Sequence, residues 1–182
     1  MRARSAAAPA TAAEVARALG LAPHPEGGYF RETYRSPLTV DTDRGWRALS
    51  TAITFMVTGG SPSRFHRLAS DELWVYQAGE PLELLTLSSG EALQRVLLGD
   101  PLSRVAASGG SATVTTACVP AGTWQAARVA VGPSRETDHV GSWTLVTCVV
   151  SPGFEYEDFE LAGRAALVAA YPEHGNLIVA LT

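Results

Sequence analysis

The stretch SRFHRLASDELWVYQAGEP, residues 63–81, decides how this chain folds. It places its one histidine, His66, and the acid Glu72 among apolar and aromatic residues that are typical of buried β-strands. A buried histidine and a buried carboxyl group need hydrogen-bond or ion-pair partners, or they serve a function, because burying unpaired charge is costly. The stretch therefore predicts either a metal site, an acid/base site or a structural hydrogen-bonded pair.

Side-chain alternation along a strand indicates which of these residues face together. If His66 faces the interior of the fold, a hairpin would bring Glu72 to the same place. The aromatic residues that follow Glu72 would then form one wall of a pocket. The predicted faces are Arg64, His66 and Leu68 on one strand, and Glu72, Trp74, Tyr76 and Ala78 on the next.

The rest of the chain predicts many short strands. Strand-like segments follow one another after residue 28, and turn signals such as Gly59-Gly60-Ser61-Pro62 and Ser88-Ser89-Gly90 separate them. Such a pattern is typical of an all-β sandwich or barrel. The final segment NLIVALT, residues 176–182, is interpreted as one more strand-like piece.

Two segments predict helices. Thr11 and Glu14 have the spacing of a capping box, and Gly20 is a stop signal, so a short helix is expected over 12–19. The segment EDFELAGRAALVAAYP predicts a second helix over about 158–170, ended by Pro172.

The composition bounds the function. The length of 182 residues and the hydrophobic content of 46% predict a single globular domain, over 11–182. The alanine-rich segment before it predicts a flexible tail over 1–10. A net charge of −4 without clustered Lys or Arg argues against nucleic acid as a partner. No apolar run is long enough for a transmembrane helix, so no membrane partner is expected. Cys118 and Cys148 lie in apolar runs and are expected to be reduced, which predicts a cytoplasmic protein.

The spacing of the central stretch matches a known motif. Gly60, His66, Leu68, Glu72 and Gly79 follow the first cupin motif, G-x5-H-x-H-x3-4-E-x6-G, with leucine where the second histidine would stand. Further along, VPAGTWQ resembles the second cupin motif, P-x-G-x-x-H, with Gln125 at the histidine position.

A closer resemblance covers nearly the whole chain. The chain resembles the cupin-5 family (DUF985), which is itself similar in fold to the dTDP-sugar 3,5-epimerases. This resemblance implies an all-β cupin double-stranded β-helix, a jelly-roll barrel with a pocket inside, and a homodimer. The segments that carry it, in order, are PHPEGGYFRETYRS (23–36), FHRLASDELWVYQAGEPLELLTL (65–87), VPAGTW (119–124) and VSPGFEYEDFELA (150–162).

The metal interpretation is weakened by the two replacements. The usual cupin centre has three histidines and one glutamate, which suit transition metals. Leucine cannot bind a metal, an amide oxygen is a weak donor, and no other histidine is obvious as a substitute. A divalent metal at His66, Glu72 and Gln125 is therefore the disfavoured alternative, and no cofactor is expected.

The acid/base interpretation needs fewer groups. A carboxylate beside histidine raises its basicity and fixes its tautomer. His66 is predicted to be the base, Glu72 its orienting partner, and Tyr76 or Tyr29 the acid on the opposite side. Gln125 and Arg64 are predicted polar contacts to the ligand, and Trp74 part of the aromatic wall.

The block HPEGGYFRE, residues 24–32, has two interpretations. Glu26, Tyr29, Arg31 and Glu32 could close one end of the pocket or reach into it. Alternatively, the block is a dimer-forming strand preceded by a turn. Glu26 and Arg31 are on this basis candidate substrate-binding residues.

Three functions follow, in order of preference. The first is an enzyme that performs metal-independent isomerisation, epimerisation or cyclisation of a polar, carbonyl-bearing metabolite. The second is a cupin that binds or senses such a small molecule without catalysis. The third is a metal-dependent cupin enzyme with a His/Glu/Gln site.

Overall fold

The computed structural model describes residues 10–101, 113–130 and 141–182, and the predicted tail falls almost entirely outside them. Within these residues, two six-stranded sheets pack face to face and a two-stranded hairpin extends from one of them. The first sheet contains β1 (Ala22–Pro23), β2 (Tyr29–Arg35), β5 (Thr51–Thr58), β7 (Asp71–Gly79), β11 (Thr116–Val119) and β13 (Trp143–Ser151). The second contains β6 (Ser63–Leu68), β8 (Leu82–Leu87), β9 (Gln94–Leu98), β10 (Thr113–Val114), β12 (Trp124–Val129) and β14 (Phe159–Leu161), and the hairpin is β3 (Thr39–Thr42) with β4 (Gly45–Ala48).

The order of the strands is that of a jelly roll. The first sheet runs β1-β2-β5-β13-β7-β11 and the second β10-β9-β8-β12-β6-β14. From β5 to β8, and again from β11 to β14, each strand lies in the opposite sheet from the one before it. The predicted all-β jelly-roll barrel is therefore confirmed.

The same alternation corrects one prediction. The sequence suggests a hairpin of the two strands that carry His66 and Glu72, and this is wrong. β6 pairs with β12 and β14, whereas β7 pairs with β11 and β13. His66 and Glu72 therefore reach the interior from opposite sheets.

The second sheet is buried on both of its faces. Leu84 of β8 packs between the sheets together with Phe55 and Trp74, whereas its neighbour Leu85 packs on the outer face. This burial on both faces explains the nearly continuous apolar run LELLTL in β8, since a strand with one solvent-exposed face would alternate apolar and polar residues. Two C-terminal helices cover the outer face through Leu167, Ile178 and Leu181.

The N-terminal helix is confirmed, and the C-terminal predictions need correction. Helix α1 spans Ala12–Leu19, with the capping box of Thr11 and Glu14 formed on both sides. The helix predicted over 158–170 is shorter, because the segment first forms a 3-10 turn at Tyr156–Asp158 and then β14, which pairs with β6. Helix α2 is confined to Arg164–Ala170.

The final segment is helical rather than strand-like. Helix α3 spans Gly175–Ala180 and buries Ile178 against the second sheet. A short apolar run cannot be assigned by periodicity alone, and here a sheet face rather than a sheet edge is the partner. No helix within the described residues is long and apolar enough to cross a membrane.

Candidate functional site

A cavity of about 100 Å³ lies between the sheets at the end where the loop 24–28 meets β6. Its inner part is polar and its walls are largely apolar. The lining residues are His24, Glu26, Phe30, Glu32, Arg35, Thr51, Ile53, Phe55, His66, Leu68, Glu72, Cys148, Val150, Phe154, Glu155 and Tyr156.

A β-bulge in β6 sets the direction of His66. In the pairing with β12, His66 lies opposite Gln125 and Ser63 lies opposite Ala127, so β6 has one extra residue between them. Ser63 and His66 consequently both face the interior, while Arg64 is exposed. The prediction that Arg64 shares the face of His66 is therefore wrong, because simple alternation does not hold across the bulge.

Two glycines let the loop 24–28 dock against the start of β6. Gly27 has φ 112°, and a Cβ at this position would overlap the carbonyl oxygen of Pro62. The Gly28 amide donates to Ser61 Oγ at 2.8 Å, and Arg64 donates from its backbone amide and from Nε to the carbonyl oxygen of Glu26. This docking brings His24 and Glu26 into the cavity beside His66.

The hydrogen bonds fix the tautomers of both imidazoles. His66 Nδ1 lies 2.8 Å from the carbonyl oxygen of Arg64, which can only accept, so Nδ1 carries the proton and a neutral His66 has a bare Nε2. His24 Nδ1 accepts from the backbone amide of Glu26 at 3.3 Å, so it too is bare.

Glu26 stands between these two bare nitrogens. Its Oε2 lies 3.4 Å from His66 Nε2 and 3.4 Å from His24 Nδ1, while its Oε1 accepts from Ser63 Oγ at 2.8 Å. If all three groups were unprotonated, lone pairs would face lone pairs between buried side chains. A proton on Glu26 Oε2 or on His66 Nε2 would remove this repulsion, and the geometry allows the two groups to share it.

Burial shifts the titration of this cluster towards neutral forms. It raises the pKa of Glu26 to about 8, against the opposing effects of the Ser63 hydrogen bond and the Arg64 charge. It lowers the pKa of His24 to about 4, and the neighbouring His66 adds to that effect. Burial also lowers the pKa of His66, although the charge of Glu72 opposes the shift.

Glu72 is held from the opposite sheet by a separate set of contacts. Its Oε2 accepts a short hydrogen bond from Gln125 Nε2, and the thiol of Cys148 donates to the same carboxyl group. Burial raises the pKa of Glu72 to about 7, whereas the charge of His66 and these hydrogen bonds oppose the rise. Glu72 is therefore a second buried carboxyl group whose pKa is close to neutral pH.

The donors do not fit the metal site that the cupin motif implies. The indole of Trp74 can only donate, and it donates to Gln125 at 3.0 Å, so the amide oxygen faces Trp74 and the amide nitrogen faces Glu72. Gln125 thus offers no oxygen to a cation between itself and Glu72, and Leu68 supplies no ligand. Among the described residues, no group of three or more His, Cys, Asp or Glu side chains is arranged to hold a metal ion.

The mouth of the cavity contains one arginine that the sequence analysis does not single out. Arg35 donates from Nε and Nη2 to the two carboxylate oxygens of Glu32, and from Nη1 to Glu155 at 2.7 Å. Its Nη2 also donates to the carbonyl oxygen of Phe154. Four of the five N–H donors of the guanidinium are therefore engaged by the rim of the mouth.

The structure brings together only part of the predicted site. His66, Glu72 and Glu26 line the cavity, while Trp74 and Gln125 lie directly behind Glu72. Four predicted residues lie elsewhere: the Tyr76 hydroxyl donates to the carbonyl oxygen of Gly79, Tyr29 packs near α1, and Arg31 and Arg64 are exposed.

The lining residues that have no place in the sequence-based site include His24, Arg35 and Cys148. Alternation along β2 carries a usable signal, because Phe30 and Glu32 face the cavity and Tyr29 and Arg31 do not. Arg35 shares the cavity side because the register of β2 shifts after Glu32.

Comparison with known proteins places this chain in a family. The family model described as "Cupin superfamily (DUF985)" matches residues 13–162. A hypothetical protein from Leishmania major is 37% identical, with a TM-score of 0.80 over 95% of this chain and 99% of that chain. The protein SO0799 from Shewanella oneidensis is 32% identical, with a TM-score of 0.80 over 95% of this chain and 98% of that one.

Two further matches are more distant. The uncharacterized protein YML079W of Saccharomyces cerevisiae is 29% identical over 147 residues, which cover 74% of this chain and 67% of the yeast protein. A cupin 2 conserved barrel domain protein from Rhodopseudomonas palustris is 16% identical with a TM-score of 0.51, over 87% of this chain and 90% of that chain, and shows the shared fold alone. The extent of the family match and the two structures above 30% identity establish that this chain belongs to the DUF985 family of the cupin superfamily.

Proposed function

We propose that this cupin binds a small carbonyl compound in its cavity and exchanges the proton on the carbon next to the carbonyl group, without a metal. The reaction class is isomerisation, epimerisation or a related step that begins with enolisation. The observation that carries the proposal is the placement of Glu26 Oε2 at 3.4 Å from His66 Nε2, where the two buried groups can share one proton.

The pair of Glu26 and His66 is the proposed base. In its unprotonated form the pair accepts the proton of the substrate carbon between Glu26 Oε2 and His66 Nε2, and it thereby reaches the protonated state that burial of Glu26 favours. The electron pair of the broken C–H bond stays on the substrate as the enolate. His66 is oriented by the carbonyl oxygen of Arg64, and Glu26 by Ser63, so neither ring nor carboxyl group must reorganise during the transfer. This assigns the predicted orienting role of Glu72 to Glu26.

Glu72 is the proposed acid on the other side. It reaches the cavity from the sheet opposite to that of His66, and a pKa of about 7 allows it to donate and recover a proton near neutral pH. Tyr76 and Tyr29 drop out of this role because they lie away from the cavity. Gln125 acts on Glu72 rather than on the substrate, and it keeps the carboxyl group directed into the cavity.

The test is hydrogen exchange into a small carbonyl compound. Wild-type protein in D₂O should accelerate deuterium incorporation into the methyl group of pyruvamide. The loss of the proton NMR signal of that methyl group measures the rate. His66→Gln should abolish the acceleration, whereas Cys118→Ala, which changes an exposed residue, should retain it. Binding of the compound without any exchange would instead support the non-catalytic binding function.

The predicted homodimer and cytoplasmic location remain predictions. Light scattering on the purified protein measures the first directly. A monomer at the concentrations used for the exchange measurements would overturn it.

A further inference from the structure

We propose that the cavity selects uncharged ligands and rejects anionic ones, so that its substrate carries neither a phosphate nor a carboxylate group. The inference rests on the proposed function, because it names the substrate class of the same cavity. Four observations carry it: the charges of the lining, the engagement of its arginine, the buried carboxyl groups and the size of the space.

The described lining is rich in carboxyl groups. Four glutamates face the cavity or its mouth, against a single guanidinium. His24 and His66 do not offset them, since burial lowers the pKa of both imidazoles and favours their neutral forms. The four are Glu26, Glu32, Glu72 and Glu155.

The one arginine of the described lining commits four of its five N–H donors to the rim of the cavity. Arg35 uses Nε, Nη1 and Nη2 on Glu32, Glu155 and the carbonyl oxygen of Phe154. An anionic ligand would have to displace the bidentate Glu32 carboxylate to form a bidentate contact of its own, and bidentate pairs are among the stronger hydrogen-bonded contacts. With Glu32 and Glu155 both bound to it, the rim around Arg35 has a net charge of −1 by formal count.

The other nearby arginines are also directed elsewhere. Arg64 donates to the backbone of the loop 24–28 on the outside of the cavity. Arg44 and Arg47 lie in a separate groove, where both pair with Asp158. Within the described residues, none of these three lines the cavity that contains His66.

The buried carboxyl groups disfavour a second negative charge. Glu26 and Glu72 are already displaced towards their protonated forms in the absence of any ligand. A ligand anion would raise both pKa values further and would itself lose its hydration without a compensating cation. The interior therefore tolerates polar groups but not additional negative charge.

The space is small and has apolar walls. At about 100 Å³ it is well below the roughly 300 Å³ at which sites for drug-sized ligands begin. Phe30, Phe55 and Phe154 line it beside Ile53 and Leu68. A short, uncharged carbonyl compound matches both the size and the mixed polarity.

The test compares neutral and anionic ligands, and the first pair has nearly the same shape. Pyruvamide and pyruvate differ by an amide in place of a carboxylate, and dihydroxyacetone and its phosphate extend the comparison to a phosphate group. Dissociation constants are measured by NMR titration of the wild-type protein. The neutral member of each pair should bind at least about tenfold more tightly than the anion, as expected for an uncompensated like charge at short range.

Variants of the rim sharpen the test. The double variant Glu32→Gln/Glu155→Gln keeps the shape of the rim and releases Arg35 from its carboxylates, so the preference for the neutral ligand should fall several-fold. The matched control is Glu83→Gln, a glutamate bound by Arg95 and Arg128 on β8, away from the cavity. The control variant should retain the full preference.

The outcomes separate this inference from the proposed function. Equal or tighter binding of pyruvate, or no binding by either member of both pairs, overturns the selection of uncharged ligands. Pyruvamide binding without deuterium exchange supports the selection of uncharged ligands and overturns the proposed enzymatic function. Exchange confined to pyruvate supports the enzyme and overturns the selection.

Discussion

Two clusters of buried charged residues lie on either side of Leu68 and Phe159, and they are built in opposite ways. In the cavity, Glu26 and Glu72 are buried, and among the described residues neither forms an ion pair with an arginine. In the neighbouring groove, the side chains of Arg47 and Asp158 are only 5% and 7% exposed and form a bidentate pair at 2.7 and 3.1 Å. We call this second set, completed by Arg44 and Glu157, the arginine cluster.

The difference between the two clusters shows how a neighbouring cation changes the effect of burial on the pKa of a carboxyl group. Hydrogen bonding from Arg47 lowers the pKa of Asp158 below its ordinary value, so this carboxylate keeps its charge at all ordinary pH values. Burial without such a partner raises the pKa of Glu26 to about 8. Fixed charge suits a structural role, whereas a carboxyl group that titrates near neutral pH suits proton transfer.

The largest expected effect breaks the proton-sharing pair. His66→Gln and Glu26→Gln should each lower the rate of deuterium exchange by about 100-fold or more, the range expected for loss of a general acid or base. The double variant should lose little more than either single variant, because the two groups act as a unit. If the same NMR assay showed that the exchange rate of the double variant falls by the product of the two single-variant losses, the shared proton would be contradicted.

The next effect concerns stability and should separate the two clusters. Asp158→Asn leaves Arg47 and Arg44 without their anion, and the midpoint of thermal unfolding should fall by several degrees. Glu72→Gln should leave that midpoint unchanged or raise it at pH 8, because it removes an uncompensated buried charge.

A surface pair provides the control for this comparison. Glu160→Gln breaks the exposed ion pair with Arg67 and should change the free energy of unfolding by less than about 1 kcal/mol. If Asp158→Asn were as mild as Glu160→Gln, the arginine cluster would not have the structural role assigned to it.

The third prediction concerns the pH dependence of stability. The folded protein retains a proton on Glu26 up to about pH 8, whereas unfolding restores the ordinary value of 4.5, so this group destabilises the fold as pH rises between them. His24, with its pKa lowered from 6.5 to about 4, acts in the opposite sense over that lower range. Above pH 6.5 only the effect of the buried glutamates remains, and stability should fall towards pH 8.

Urea denaturation at a series of pH values measures this slope. Each such group contributes at most about 1.4 kcal/mol per pH unit. Glu26→Gln should flatten the decline above pH 6.5, while Asp158→Asn should leave its slope unchanged. A wild-type stability that rises from pH 6.5 to 8 would show that Glu26 is not protonated in the fold.

The smallest effect compares the two thiols. Cys148 is buried and its thiol donates to Glu72, so burial raises its pKa well above the ordinary value, whereas Cys118 is exposed. Iodoacetamide at pH 8, followed by mass spectrometry, should modify Cys118 and leave Cys148 intact in the folded protein. Modification of both residues at similar rates would show that the cavity wall opens readily.

The sequence predicts the fold better than it predicts the site. The jelly roll follows from short strands and turn signals, and the cupin spacing selects His66 and Glu72 as interior residues. The sequence does not reveal that these residues come from opposite sheets, because a hairpin and a crossover between sheets require the same local alternation. It also fails at Arg64, where one extra residue in β6 reverses the expected face.

The missed residues share a physical cause. His24 lies six residues before Phe30 in a turn, and its approach to Glu26 and His66 depends on the docking of that turn against residues 61–64. Such docking is a tertiary contact with no periodic signal. Arg35 is missed for a similar reason, since its partner Glu155 is 120 residues away in the sequence.

The close approach of Gly27 to Pro62 has a consequence for the thermodynamics of ligand binding. Because the backbone of the loop 24–28 is wedged against β6, His24 and Glu26 occupy their positions before any ligand arrives. Little chain entropy is then left to lose on association. Gly27→Ala would push the loop away from Pro62, so calorimetry should record weaker binding with a larger entropic cost of ordering His24 and Glu26.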